Sequence, residues 1–284
     1  MASFGAGARG RSVLAFLAVV SATLPVQKAA AVDANWPTQV SALYRLSFNG
    51  FDVGTYRFDA HFTGSAYSAI GKTDISAFFG AFKWVGNFSG SGTLENSGVH
   101  PAAFDMSYKT KKKTTSVKIG FAGPTVSSVV LVPPKSPSPE TIKLKPENLK
   151  NVFDPMAAMI AVSDASPENA CNRTLPVFDG KARYDLHLTL KGRERISERH
   201  PSGQPKELLV CRVKYVPIAG HKPKDFTEPW IDYNNLEIAL RAVPTAGIYV
   251  PYRVTVPSGV GSAVMTVDTI NITGANNQQI ALKR

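Results

Sequence analysis

Apolar residues recur at every second position through most of this chain, and that period limits the folds open to it. Tyr44, Leu46 and Phe48 start the pattern, followed by Tyr56, Phe58, Ala60 and Phe62. Phe82, Trp84 and Phe88 continue it beyond a Gly-rich stretch, and Val117, Ile119 and Phe121 repeat it. The longest run has Ala182, Tyr184, Leu186, Leu188 and Leu190 alternating with Lys181, Arg183, Asp185, His187, Thr189 and Lys191. Leu209, Cys211, Val213 and Tyr215 form another, and segments near 236–240, 250–256 and 263–272 complete the series. A period of two places one set of side chains on one face of a strand. Asn49-Gly50 and Asp179-Gly180 are turn dipeptides between such runs. The pattern predicts an all-β chain of about eleven strands, each with one apolar face. A flat sheet of that size leaves its apolar faces in water, so it must curl or close. We expect a large curled antiparallel sheet, a β-spiral or half-barrel, with the apolar face inward. The reverse arrangement, an outer-membrane barrel, calls for aromatic girdles and a terminal aromatic. This chain instead finishes Ala281-Leu282-Lys283-Arg284 and carries Pro-rich loops.

One helix interrupts the strands. Asp154 is a good N-cap and Pro155 suits the first helical position, so Met156, Ala157, Met159, Ile160 and Val162 predict a short helix near 155–165. So apolar a helix must be buried, against the apolar face of the sheet. Lys135-Ser136-Pro137-Ser138-Pro139 is the best linker candidate, and would divide residues 32–284 into halves 32–134 and 140–284 if the domain is not continuous.

The N-terminus predicts an address. Arg9 and Arg11 precede an apolar run from Ser12 to Leu24, too short to span a bilayer, and Ala29-Ala30-Ala31 supplies small residues for cleavage after Ala31. Residues 1–31 are therefore expected to be a signal peptide and the protein periplasmic. In such a compartment the only two cysteines, Cys171 and Cys211, read as a disulfide, since neither lies in a Cys-x-x-Cys motif. Three Asn-x-Ser/Thr sequons, at Asn87, Asn172 and Asn271, are no more than chance supplies.

The formal net charge is +11, and its densest cluster is Lys109, Lys111, Lys112, Lys113 and Lys118. Such a run either meets an anionic partner or is a solvated hairpin tip that discourages edge-to-edge aggregation. No phosphate loop, His-Glu-x-x-His pair, EF-hand loop or nucleophile elbow occurs. His61, His100, His187, His200 and His221 are scattered, and no metal or cofactor is expected. Asp225, Glu228, Asp232 and Glu237 surround Trp230 and Tyr233, a mixture also found where paired carboxylates act on a sugar. A glycan hydrolase is thus one functional alternative.

Three segments carry a family resemblance. Phe153-Asp154-Pro155-Met156-Ala157-Ala158, then Val177-Phe178-Asp179-Gly180-Lys181-Ala182-Arg183-Tyr184, then Pro251-Tyr252-Arg253-Val254 occur in the order seen in the bacterial exported proteins grouped as domain of unknown function 3108. The Tyr44 strand and its Gly54 hairpin partner fit as well. The resemblance implies a curled antiparallel sheet with a small helical insertion, similar in shape to periplasmic lipoprotein carriers. It transfers no catalytic residue. The leading expectation is a non-enzymatic envelope protein that holds a lipid or lipopeptide in an apolar concavity. The alternative to that pocket is an interior filled by Phe, Tyr and Leu. The second functional class is a scaffold for envelope proteins or anionic polymers, using the basic hairpin or a sheet edge. No nucleic acid is expected and no membrane span; the oligomeric state is open.

Overall fold

The structure is a computed structural model that describes residues 36–77, 80–134, 136–198, 200–223 and 231–284. The expected signal peptide and Lys135 of the linker lie outside the described residues. Seven strands precede the helix: β1 (Gln39–Phe48), β2 (Phe51–Thr63), β3 (Ala66–Ala77), β4 (Phe82–Glu95), β5 (Gly98–Thr110), β6 (Thr114–Ala122) and β7 (Thr125–Val132). Helix α1 spans Pro155–Ser163. Seven follow: β8 (Asn172–Phe178), β9 (Arg183–Arg195), β10 (Glu207–Ala219), β11 (Leu236–Val243), β12 (Ile248–Ser258), β13 (Gly261–Thr273) and β14 (Gln279–Lys283).

All fourteen belong to one antiparallel sheet, ordered β7-β6-β5-β4-β3-β2-β1-β13-β12-β11-β10-β9-β8, with β14 also paired to β13. The two series meet where β1 pairs with β13, in register from Gln39 opposite Thr273 to Phe48 opposite Ala263. The other side of β13 is shared. Its first half pairs with the end of β12, from Arg253 opposite Thr266 to Ser258 opposite Gly261, and its second half pairs with β14. The start of β12 thus leaves β13, and Ile248, Tyr249, Val250, Pro251 and Tyr252 are all buried there. Tyr252 is the extra residue of a bulge, since Arg253 faces Ala239 and Pro251 faces Leu240. A bulge bends its strand, and this one sits where β12 leaves β13.

The sheet curls without closing. Its edge strands β7 and β8 do not pair with each other; the intervening chain bridges them instead. Lys150 bridges Thr125 and Phe153 bridges Val177. The Asn151 N–H donates to the Pro124 carbonyl at 2.7 Å, and the Phe153 N–H to the Pro176 carbonyl at 2.8 Å.

Helix α1 plugs the curl. Asp154 is fully buried, and its Oδ1 accepts the Met156 and Ala157 N–H groups at 2.8 and 3.0 Å, while Pro155 occupies a position that needs no donor. Met156, Ala157, Ala158, Ile160, Ala161 and Val162 are buried, in contact with β4, β5, β8 and β12, while Pro155, Met159 and Ser163 form one half-buried stripe. Gly90 in β4 permits this approach: a Cβ there would lie 2.7 Å from the Cβ of Met156.

The sheet has fourteen strands where the periodicity predicts about eleven. The additional ones carry weak or interrupted patterns. In β3 the inward residues are Tyr67, Ala69, Gly71 and Thr73, while the more apolar Ile70 faces water at 48% exposure. In β5 a bulge at Ala102 shifts the register, so Val99 and Phe104 fall out of step. β7 has an unbroken Val129–Val132 run on an edge, and β14 is five residues long.

Candidate functional site

Beside α1 the inner face of the sheet is not filled. A groove of about 380 Å³ opens there, with one side of the helix as its floor. Leu46, Tyr56, Thr73 and Phe88 line it from β1 to β4; Ile238, Val254 and Met265 line it from β11 to β13; and Met156, Met159 and Val162 come from the helix. The register explains how distant residues meet: Leu46 is opposite Met265, Met265 opposite Val254, and Val254 opposite Ile238, one row across four strands. No ionisable side chain besides Tyr56 lines the groove. The Tyr56 hydroxyl donates to Met159 Sδ at 3.5 Å, and burial pushes its pKa well above the ordinary phenol value. Three of the chain's five methionines are liners. Met adapts to irregular apolar shapes, so this wall suits a chain-like ligand better than a rigid one.

An aromatic ladder continues the wall. Tyr44 stacks on Tyr56 at 6.0 Å, Phe88 meets Tyr56 edge-on at 6.4 Å, and Trp84 lies between Phe88 and Tyr108 at 6.1 and 5.7 Å. Gly86 makes room for it, since a Cβ there would fall 2.4 Å from the Trp84 ring. The Tyr44 hydroxyl reaches across the sheet and donates to the Pro251 carbonyl at 3.0 Å.

The polar groups named from sequence lie elsewhere. Cys171 and Cys211 are bonded to each other, tying the chain before β8 to β10, with both residues buried. Lys109 is the penultimate residue of β5, and Lys111, Lys112 and Lys113 form the exposed turn into β6. Lys118 is not part of that tip; it pairs with Asp105 of the neighbouring strand at 2.8 Å. Asp225, Glu228 and Trp230 lie outside the described residues. Asp232 accepts hydrogen bonds from the Asn234 N–H and from Asn235 Nδ2, at 3.1 and 2.7 Å, which hold its carboxyl below the usual range. Glu237 pairs with Lys191, and Tyr233 packs on Tyr215. Among the described residues no three His, Cys, Asp or Glu side chains converge as metal ligands. None of the described helices is long and apolar enough to cross a membrane.

Three buried charged groups, at two places, were not evident in the sequence. Asp154 Oδ2 has no hydrogen-bond partner, and desolvation raises its pKa to about 6 against the pull of the two cap N–H groups. Glu198 and Arg241 form an ion pair at 2.6 Å with both side chains at 0% exposure. Burial pushes the Glu198 carboxyl up, but hydrogen bonds from Ser202 and Arg241 outweigh it and leave the pKa lowered. The groove liners Leu46, Ile238, Val254 and Met265 were also missed as a set. Met156 and Met159, three apart on one helix in a methionine-poor chain, were the available signal.

The motifs behind the family resemblance are structural joints. Phe153 and Val177 bridge the sheet edges, Asp154 caps the helix, and Asp179 Oδ1 accepts the Lys181 and Ala182 N–H groups at the β8–β9 turn. Pro251-Tyr252 holds the bulge at which β12 leaves β13. They define an open, curled antiparallel sheet wound around one buried helix, with an apolar groove between them. The chain belongs to the family described as protein of unknown function (DUF3108), which it matches over residues 43–268. No curated protein and no solved structure gives a significant match to it.

Proposed function

We propose that the protein is a non-enzymatic component of the cell envelope, exported to the periplasm, that holds an acyl chain of a lipid or lipopeptide in the groove beside α1. The observation that carries this reading is the groove itself: about 380 Å³, open to solvent, lined almost wholly by apolar atoms. Its volume falls in the range of small-molecule sites, and an apolar occupant gains about 25 cal/mol for each Å² it buries. The Cys171–Cys211 bond supports export, because such bonds persist in oxidising compartments.

The test is mass spectrometry of the protein purified without detergent, first native and then after solvent extraction. A stoichiometric lipid or lipopeptide, lost when Met265→Lys places a charge in the groove, is the expected result. A clean apo mass with no uptake of added lipid overturns the reading.

A further inference from the structure

In the half of the sheet from β1 to β7 the two ends are built from different residues. At one end the β2–β3, β4–β5 and β6–β7 turns are Gly64-Ser65, Asn96-Ser97 and Gly123-Pro124, small and uncharged. The opposite end gathers the β5–β6, β3–β4, β1–β2 and β12–β13 turns side by side, as the strand order requires. Phe51 stands there at 78% exposure, Phe82 at 49% and Val260 at 60%. Lys83, Lys109, Lys111, Lys112 and Lys113 are exposed at the same end, and none of them forms a salt bridge with a described residue. Lys83, Lys109 and Lys111 also border a shallow depression of about 450 Å³ on the outer surface, together with Asn87, Ser107 and Tyr108.

Folding does not require this composition. The β1–β2 turn is formed by Asn49 and Gly50, both at positive φ, and is tied to the β12–β13 turn by Asn49 Nδ2 donating to the Val260 carbonyl at 3.0 Å. The Phe51 ring contributes little to that arrangement. Apolar tips beside unpaired lysines match a bilayer interface, where rings enter the headgroup layer and ammonium groups meet phosphates. The groove lies near this end, for Leu46 and Met265 stand two pairs before the turn between β1 and β2.

We propose that this end of the sheet docks on a bilayer with anionic headgroups. The lysines contact lipid phosphates, Phe51, Phe82 and Val260 enter the interface, and the groove mouth faces the lipid. The docking extends the acyl-chain reading, but it is measured separately from groove occupancy.

The experiment is flotation of the protein with phosphatidylcholine vesicles, with and without phosphatidylglycerol. Binding is expected only to the anionic vesicles and is expected to fall with salt. The triple variant Lys111→Ser, Lys112→Ser, Lys113→Ser should weaken it on the order of a hundredfold. Phe51→Ser with Phe82→Ser should weaken it at every salt concentration. Both variants should keep the parent melting temperature and the parent uptake of a fluorescent fatty acid. If neither vesicle type binds, or the variants bind like the parent, the docking face is overturned while the groove assay stands. If soluble polyphosphate binds as tightly as the vesicles and Phe51 and Phe82 do not matter, a polyanion site replaces it. Failure of fatty-acid uptake with vesicle binding intact overturns the groove reading alone.

Discussion

The seven strands before α1 and the seven after it share one sheet, yet they fill its inner face by different means. In β2–β5 the inner face sets rings over glycines, Tyr56 over Gly71, Trp84 over Gly86 and Tyr67 over Gly92, and only the outlying β6 and β7 return to Val117, Ile119 and Val126. In β8–β14 it is packed with Val210, Val213, Leu240, Val243, Val267, Ile270 and Ile272, all buried. That second series is also cross-linked, by the Cys171–Cys211 bond and by the buried Glu198–Arg241 pair. Branched side chains have few rotamers and interlock, whereas a glycine puts no side chain of its own beneath a ring. The groove lies at the boundary, with one wall on the cross-linked series, and we expect the other, formed by β1–β4, to adapt more readily.

The comparison can be broken most directly at Glu198. Glu198→Ala leaves the guanidinium of Arg241 buried without its carboxylate, and should cost about 3–5 kcal/mol in urea unfolding. Glu198→Leu with Arg241→Met should cost much less, because it removes both charges. An equal cost for single and double variants would show that the pair does not lock this half.

Next in size is the disulfide. It closes a separation of 40 residues, so removing it should cost about 4 kcal/mol in the chain-entropy model. Cys171→Ala with Cys211→Ala should lower the melting temperature and keep the far-ultraviolet spectrum. Parent-like unfolding would remove the argument for a cross-linked second half.

Asp154 sharpens the comparison at the joint between the two series. Its pKa is raised from 3.8 to about 6, so between those pH values the folded protein binds a proton that the unfolded chain has lost. Its contribution is therefore complete below pH 3.8 and is lost as pH rises through about 6. Asp154→Asn keeps an acceptor for the cap and cannot ionise. The stability of this variant relative to the parent should improve by about 2 kcal/mol from pH 4 to pH 7, read from paired unfolding curves. A constant difference would mean that the carboxyl is better solvated than its burial implies.

The smallest effect tests the adaptable wall. Gly90→Val forces a side chain into the space of Met156 and should cost about 1–3 kcal/mol. It should also lower fatty-acid uptake by shifting the helix that floors the groove. A variant with unchanged stability and uptake would show that β4 yields without disturbing the helix.

Much of the fold was legible in the residues. The period-two runs carried the class and most of the strands, because a half-buried strand must present alternate side chains to water. The helix was marked by Asp154-Pro155 and its unbroken apolar run, and the cysteine pairing by the count of two. Among the strands that went unread, β3 has Ala69 and Gly71 at inward positions, β5 and β7 have a period broken by a bulge, and β8 and β14 are only seven and five residues long.

By itself, the sequence determined that this protein is a one-sided antiparallel sheet forced to curl around an apolar helix, since local periodicity reports which face leaves water. Only the tertiary structure decided that the curl stays open, that Leu46, Met265, Val254 and Ile238 share one row, and that Phe51, Phe82 and Lys111–Lys113 stand at one end. These are properties of strand order and register. They depend on pairings between residues more than 200 positions apart, such as Leu46 with Met265, which no local pattern encodes.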